Sequence, residues 1–323
     1  MDIFVPLLNQ MLCLFLLIAV GFILAKWKFV PDNSERVLSK LENLVLVPAL
    51  VMGTFINNCT IETLSSMWKL LVLGFGMVFL LIPISFLSAK ICFKEDYLRK
   101  IATYGLAFSN FAFMGNAIMS AVFPNIFFEY TVFTLPFWFM IYLWGAPVLL
   151  ISGSNNGEKV ALKQRMKSFV NPMFIGMLIG MVIGLTGLKL PTGITGAING
   201  AGACMSPLAM ILTGMTIGRT DVVALLKKSR IYWISGVKLL VYPLVFILIF
   251  LLLGLLPENS FFNETFLRCA TCVATMPLGL NTIVIPAAYG RDTTDAAGMA
   301  LVSHVFSVVT IPLAFMLMQA LIL

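Results

Sequence analysis

Long apolar segments fill most of this chain, and two of them are interrupted near their middle. Hydrophobic residues make up 60% of the sequence and charged residues 11%, with a mean hydropathy of +1.01. In soluble domains about a quarter of the residues are charged. Runs of about 20 apolar residues are long enough to cross a bilayer. We therefore expect an all-α polytopic membrane protein whose partner is the lipid bilayer, and no nucleic-acid partner, because the basic residues lie in short loops.

The two interruptions fall at matching places in the two halves of the chain. The first is S-N-F-A-F-M-G-N at Ser109–Asn116, and the second is M-P-L-G-L-N at Met276–Asn281. Each places Gly or Pro and a carboxamide in the middle of an otherwise apolar span. Backbone groups freed inside hydrocarbon are tolerated where they are buried in protein or line a cavity. A matched pair of such breaks is typical of the midplane binding site of a transporter.

The apolar segments predict ten transmembrane helices, five in each half of the chain. An odd number of spans per half makes the second half enter the membrane from the opposite face, which indicates an inverted repeat. We predict a first five-helix repeat at 1–151, a polar cytoplasmic linker at 152–168 and a second, inverted repeat at 169–323. The predicted spans are 4–25, 36–56, 68–91, 99–123, 128–151, 170–187, 194–217, 230–254, 263–289 and 295–321.

The distribution of Lys and Arg predicts the orientation. Most basic residues fall on one side of the ten-span arrangement, whereas Lys69, Lys189 and Arg268 fall on the other. Since cytoplasmic loops carry the excess of Lys and Arg, we expect both termini outside and a multi-pass protein of the bacterial cytoplasmic membrane.

Three asparagines, Asn110, Asn116 and Asn281, lie in the two breaks. Burial of an amide in hydrocarbon without a hydrogen-bond partner costs several kcal/mol of free energy, so such residues are candidates for function. They either hold a ligand carboxylate or satisfy the freed backbone, and the sequence leaves both readings open. Half-helix N-termini carry partial positive charge, and the breaks contain no carboxylate. This favours a small organic anion as substrate, without a metal or another cofactor.

Three ionisable residues lie inside spans, and two of them have two readings. His304, the only histidine, is either a packing residue beside Ser303 and Ser307 or a group that couples protons to transport. Lys238 either attracts an anion or extends to the basic interface, which we expect. Glu42, near the start of span 2, is expected at the interface, paired with nearby basic residues.

Several short motifs recur in an order typical of one family. None is decisive alone, but together they extend over nearly the whole chain. They are V-G-F-I-L-A-K at Val20–Lys26, N-L-V-L-V-P-A-L at Asn43–Leu50, N-P-M-F-I-G-M-L-I-G at Asn171–Gly180, P-L-A-M-I-L-T-G at Pro207–Gly214, M-P-L-G-L-N-T-I-V-I-P-A-A-Y-G at Met276–Gly290 and S-H-V-F-S-V-V-T-I-P at Ser303–Pro312.

In these motifs the chain resembles the auxin efflux carrier family, which includes plant PIN-type carriers and bacterial organic-acid permeases. The resemblance implies crossed, broken helices 4 and 9, a scaffold of helices 1, 2, 6 and 7, and a transport domain of helices 3–5 and 8–10. It also implies substrate contact by Asn110 and matches Asn281 to a family Asn. The family has Gly-Ile-Pro or Gly-Leu-Pro in span 4, whereas this chain has Gly115-Asn116-Ala117. We therefore expect Gly115 and a capping Asn116 to open span 4.

These observations predict a secondary transporter of small carboxylates such as malate, malonate or oxalate that works by elevator-like alternating access. The alternatives are a sodium-coupled symporter of the bile-acid type and a membrane receptor or sensor. The chain has no Walker loop, H-E-x-x-H, G-x-S-x-G or EF-hand pattern, so we expect no enzyme. Proton coupling and homodimer formation stay open. The predicted substrate-binding residues are Asn110, Gly115, Asn116, Pro277, Gly279 and Asn281, with His304 and Lys238 as candidates for coupling to protons or anions.

Overall fold

The computed structural model describes residues 4–151, 171–254, 262–288 and 291–322, and every regular element in these ranges is helical. The predicted linker at 152–168 lies outside them. The α-helices, numbered in chain order, are α1 (Phe4–Lys26), α2 (Ser34–Leu41), α3 (Val47–Asn58), α4 (Ile61–Cys92), α5 (Asp96–Ala107), α6 (Asn116–Val122), α7 (Phe127–Met140), α8 (Pro172–Thr186), α9 (Thr192–Ala203), α10 (Met205–Gly218), α11 (Val222–Leu226), α12 (Ser229–Gly236), α13 (Tyr242–Gly254), α14 (Glu264–Thr275), α15 (Asn281–Ala288) and α16 (Thr294–Ile322).

Eight helical segments among the described residues are long and apolar enough to cross a membrane. This confirms an all-helical, multi-pass membrane protein. Spans 4, 6 and 9 do not appear as one long helix. Span 4 is divided into α5 and α6, span 6 is the 15-residue helix α8, and span 9 is divided into α14 and α15.

Proline accounts for three wide, π-helical turns within the spans. Pro48, Pro147 and Pro243 lie inside or shortly after such turns. Proline lacks an N–H and its ring collides with the carbonyl four residues earlier, which favours a wider turn. A fourth wide turn follows the interruption of span 4. The four turns are Glu42–Leu46, Phe111–Gly115, Ile141–Ile151 and Val237–Val241.

One group of helices packs through glycine. The helix α1 lies along α10, where a Cβ added at Gly21 would be 2.0 Å from the carbonyl oxygen of Ile211. A Cβ at Gly214 would be 1.9 Å from the carbonyl oxygen of Ile18. Small residues allow membrane helices to approach closely. The same group includes α3, which packs against α8 and α9.

The two interrupted spans are enclosed by the remaining helices. Residues 101–115 and 269–280 are buried without exception. The helix α4 packs against α5 and α7, and α13 packs against α14. Aromatic rings join these layers, for example Phe133 and Phe266, whose centroids are 5.6 Å apart. The breaks are therefore held inside protein, as irregular backbone at membrane depth must be.

Candidate functional site

The interruption of span 9 follows from its own sequence. Helix α14 ends at Thr275, and Met276 is extended (φ −59°, ψ 144°). A residue that precedes proline is disfavoured in the helical region. Pro277 has no N–H to donate, so the carbonyl of Val273 loses its partner four residues later. The local sequence therefore both breaks the helix and frees a carbonyl.

The interruption of span 4 contains no proline and lies at Phe108–Asn110. Phe108 (φ −113°, ψ 72°) and Asn110 (φ −74°, ψ 41°) leave the helical conformation. The Asn110 N–H donates to the carbonyl of Pro277 at 2.8 Å. The Ser109 hydroxyl donates at 2.9 Å to the Val273 carbonyl that Pro277 frees. The span 4 break is therefore held by hydrogen bonds to the span 9 break. We name the two interruptions, 108–110 and 276–280, the double break.

Glycine permits the backbones of the double break to touch. A Cβ added at Gly279 would lie 2.1 Å from the carbonyl oxygen of Phe108, a distance at which backbone must move. On the other side, the Leu278 N–H donates to the Ser303 hydroxyl at 3.3 Å. The double break is thus fastened to α16 as well.

The prediction that Gly115 and Asn116 open span 4 is wrong. Both residues are helical, with Gly115 at φ −62°, ψ −43° and Asn116 at φ −60°, ψ −40°. Within the described residues, no hydrogen bond from the Asn116 side chain caps the broken backbone. Gly115 is needed for a different reason, since a Cβ there would lie 2.2 Å from the Tyr130 hydroxyl. That hydroxyl donates to the Phe111 carbonyl at 2.8 Å and supports the turn after the break.

The fold brings Asn110 and His304 together, which the sequence did not predict. Both side chains are buried, and Asn110 Nδ2 lies 2.9 Å from His304 Nε2. His304 Nδ1 lies 2.7 Å from the carbonyl of Ala300, so Nδ1 is the donor there. In the neutral ring Nε2 then accepts one of the two Nδ2 hydrogens of Asn110. Asn110 Oδ1 is buried and has no partner among the described residues.

The expectation that Lys238 extends to the interface is wrong. Its side chain is fully buried. Its Nζ donates to the Val273 carbonyl at 3.5 Å and lies 4.8 Å from the centroid of the Tyr242 ring. The Val273 carbonyl therefore accepts hydrogen bonds from both Ser109 and Lys238. The amine therefore lies behind the double break, on the side of α13.

The predicted substrate-binding residues separate into three places. Asn110, Pro277 and Gly279 meet in the double break. Asn281 begins α15, and its Nδ2 donates to the Tyr104 hydroxyl at 3.2 Å. Asn116 faces a cavity. Within the described ranges, no three His, Cys, Asp or Glu side chains form a group suited to a metal ion.

A cavity of about 460 Å³ lies at one end of the spans, where α3 ends and α10 begins. Carboxamides and hydroxyls dominate its polar lining, so we name it the amide cavity. The polar residues that line it are Gln10, Thr54, Asn57, Asn58, Asn116, Ser120, Asn199 and Ser206. The Ser206 hydroxyl donates to the Phe113 carbonyl at 2.9 Å and joins α10 to span 4.

A charged cavity of about 470 Å³ lies at the other end, where α2 begins and α10 ends. Arg219 forms ion pairs with Asp32 and Glu35 there, each at 2.5 Å. We name it the ion-pair cavity. Its lining also includes Arg36, Ser39, Lys40, Thr216, Thr220, Ile283, Thr293 and Thr294.

Glu42 lies between the two cavities, and the expectation that it is interfacial and paired is wrong. It is 1% exposed, and its Oε1 has no hydrogen-bond partner in the described part of the chain. It lines a cavity of about 10 Å³ together with Phe113 of span 4 and Leu280 of span 9. A signal was present in the sequence, because Glu42 precedes Pro48 by less than two turns in an apolar segment. Its burial depends on the packing of spans 2 and 7, which no local pattern reveals.

The chain was compared with families and with curated proteins. Residues 6–315 match the family model described as a membrane transport protein. The comparison with curated proteins finds no match.

Proposed function

The chain belongs to this membrane transport protein family, the auxin efflux carriers, and from that premise we propose that it carries a small organic anion across the cell membrane by alternating access. The substrate binds at the double break. One observation supports this most strongly. The Asn110 N–H donates a hydrogen bond to the Pro277 carbonyl and so joins two interrupted helices inside the protein.

The proposed architecture has ten spans in two inverted five-helix repeats. Helices of spans 1, 2, 6 and 7 form the scaffold, in keeping with the close packing of α1 on α10 and of α3 on α8. Spans 3–5 and 8–10 form the transport domain, which carries the double break. Both termini face outward, as the placement of Lys and Arg indicates.

Electrostatics at the double break favour an anion. The first N–H groups of a helix have no intrahelical acceptor and carry partial positive charge. Two such ends, the turn after Asn110 and the start of α15 at Asn281, follow the interruptions. Lys238 adds a buried amine that can donate hydrogen bonds behind them. The breaks themselves contain no carboxylate to oppose a negative ligand.

The Asn110 side chain favours a substrate with a hydroxyl beside its carboxylate. One Nδ2 hydrogen faces His304, and the other is available to a carboxylate oxygen. Oδ1 is a buried acceptor without a partner among the described residues, so a substrate that donates a hydrogen bond satisfies it. Malate offers both groups, whereas malonate and oxalate offer acceptors when ionised. We therefore place malate first among the three.

The two large cavities give the substrate a route to the double break from either side. Span 2 runs from Glu35 in the ion-pair cavity to Asn58 in the amide cavity, and span 7 runs from Ser206 back to Arg219. Leu280 of the double break shares a small cavity with Glu42 of span 2 and Thr213 of span 7. Elevator-like movement of the transport domain along spans 2 and 7 would open each cavity in turn.

The match to a transporter family does not favour either alternative function. These are a sodium-coupled symporter of the bile-acid type and a non-transporting receptor. Radiolabel counterflow separates transport from receptor binding, because only a transporter exchanges labelled for unlabelled substrate. Omission of sodium from both sides separates the symporter, which would then stop.

The main test uses proteoliposomes loaded with unlabelled malate, and measures entry of radiolabelled malate. We expect counterflow by the wild type and its loss in Asn110→Ala. The matched control is Asn125→Ala, which replaces an exposed amide between α6 and α7, away from the double break. Equal counterflow by Asn110→Ala and wild type would remove Asn110 from the site. Lack of counterflow by the wild type with malate, malonate and oxalate would contradict the proposed substrate class.

A further inference from the structure

Glu42 lies on span 2 between residues that line the ion-pair cavity and residues that line the amide cavity. It belongs to the wide turn Glu42–Leu46, which joins α2 to α3, and the N–H of Val47 reaches its carbonyl across that turn. Wide turns of this kind often occur at functional sites. The side chain is 1% exposed, and Oε1 has no partner among the described residues. A group so placed inside a membrane protein is a candidate for function.

The small cavity at Glu42 offers acceptors rather than donors. It has room for about one water molecule. The polar side chains that share it are Thr213 and Thr216, which donate their hydroxyl hydrogens to the carbonyls of Ala209 at 2.7 Å and Leu212 at 3.0 Å. Their oxygens can still accept. A protonated carboxyl can donate to such oxygens, whereas an ionised carboxylate, which only accepts, finds no donor in them.

Charged groups lie around this cavity on one side only. Helices α8, α9 and α10, which pack against the turn of Glu42, carry no titratable side chain, and neither does the Phe111–Gly115 turn of span 4. The described side chains of α15 carry none either. The groups of the adjoining ion-pair cavity are Asp32, Glu35, Arg36, Lys40 and Arg219, of which Arg219 is engaged by Asp32 and Glu35.

The surroundings of Glu42 come from both proposed domains. Thr213 and Thr216 belong to span 7, in the proposed scaffold. Phe113 and Ile283 follow the two breaks and Leu280 ends the second one, all in the proposed transport domain. Ile283 and Thr216 also line the ion-pair cavity. A movement of Phe113, Leu280 and Ile283 along span 2 would therefore expose Glu42 to the water of that cavity.

We infer that Glu42 is a proton-binding site that couples proton movement to transport, and this inference rests on the proposed function. In the closed arrangement described here the carboxyl is protonated. When the transport domain moves and water enters, the O–H bond breaks and the proton leaves to that water. A proton from the side of the amide cavity restores the carboxyl before the domain returns, so one proton crosses in each cycle.

The negative charge of the proposed substrate favours this coupling. An ionised Glu42 would repel a passing anion, and the repulsion would be strong because little water is present to screen the two charges. It would also be a buried charge without a partner when the cavity closes. Both obstacles are removed by one bound proton. The anion and the proton therefore cross in the same direction.

The first test compares Glu42→Gln, which copies the protonated carboxyl, with Glu62→Gln, which replaces an exposed glutamate at the start of α4. Proteoliposomes receive radiolabelled malate with an inward proton gradient, and counterflow is measured without one. We expect Glu42→Gln to keep counterflow, to lose accumulation above equilibrium and to lose the dependence of exchange on pH. The Glu62→Gln control should accumulate malate as the wild type does. Gradient-driven accumulation by Glu42→Gln equal to that of the wild type would overturn the inference.

The second test needs no substrate and therefore separates this inference from the proposed function. Infrared difference spectra of the purified protein are recorded as pH rises. We expect the C=O band of a protonated carboxyl in the wild type near neutral pH, retained in Glu62→Gln and absent from Glu42→Gln. The same band in Glu42→Gln as in the wild type would overturn the inference even if malate is transported. Conversely, loss of the band in Glu42→Gln together with no malate transport would leave the proton site in place and contradict the proposed substrate.

Discussion

The two breaks perform the same task by different means. In span 9 the break is local, because Met276 precedes Pro277 and proline cannot continue the helix. In span 4 no proline occurs, and the chain leaves the helix where Ser109 and Asn110 donate to carbonyls of span 9. The Val273 carbonyl is free because of Pro277, so one break supplies the partner that holds the other.

This difference shows that the break in span 4 depends on span 9, whereas the break in span 9 follows from its own sequence. Span 9 is interrupted by its own residues, whereas span 4 is interrupted because span 9 and Tyr130 are in place. Changes to the contact between the breaks should therefore have large effects. Changes to residues that only neighbour span 4 should have small ones.

The largest effect should come from Gly279→Ala. A Cβ there would lie 2.1 Å from the Phe108 carbonyl oxygen, so the two backbones must separate. Overpacking of this kind costs about 1–3 kcal/mol, and contact with backbone places this variant at about 3 kcal/mol. The measurement is thermal unfolding in detergent. Gly76→Ala, in α4 with no atom within 4 Å of the added Cβ, is the control. Equal melting of Gly279→Ala and Gly76→Ala would break the account of direct backbone contact.

A smaller effect is expected from Tyr130→Phe, which tests the span 4 break alone. The variant removes the donor to the Phe111 carbonyl and leaves that carbonyl buried without it. An unsatisfied buried group costs about 1–3 kcal/mol, and the remaining contacts of the ring place this loss at about 2 kcal/mol. Tyr232→Phe, at a ring exposed on α12, should melt as the wild type does. If Tyr130→Phe also melts as the wild type does, span 4 does not depend on this contact.

The smallest effect should come from Asn116→Ala. Asn116 is helical, half-buried and directed to the amide cavity, so its removal should change the free energy of unfolding by about 0.5 kcal/mol or less. A capping role in span 4 would instead make this loss about 1 kcal/mol or more. Thermal unfolding of Asn116→Ala beside Ser120→Ala, which changes another polar residue of the same cavity, distinguishes the two. A loss as large as that of Tyr130→Phe would restore the capping role that the sequence predicted.

Local features of the sequence predicted the parts of the fold that depend on local chemistry. Apolar runs indicated the helices, Pro277 indicated the break in span 9, and the ordered motifs indicated the family, which residues 6–315 confirm. The interruption of span 4 was predicted at Ser109–Asn116, but its opening was attributed to Gly115 and Asn116 at the far end of that segment. Its position is set by acceptors in span 9, which are distant in sequence.

The site residues show the same limit. Asn110 and His304 were each selected as buried polar residues, but their pairing across 194 positions requires the tertiary fold. Lys238 and Glu42 were both expected at the interface, since long charged side chains usually reach water. The packing of α13 on α14 buries Lys238, and the packing of spans 2 and 7 buries Glu42. Burial of this kind depends on neighbours that no single segment contains.

The central claim is that the anion binds at the double break. An experimental structure determined in malate, at a concentration that saturates counterflow, tests it most directly. We predict density for the ligand within hydrogen-bond distance of the Asn110 side chain, beside the start of α15 at Asn281. Density confined to the amide cavity near Asn116, with Asn110 contacting only His304 and the protein backbone, would contradict the claim.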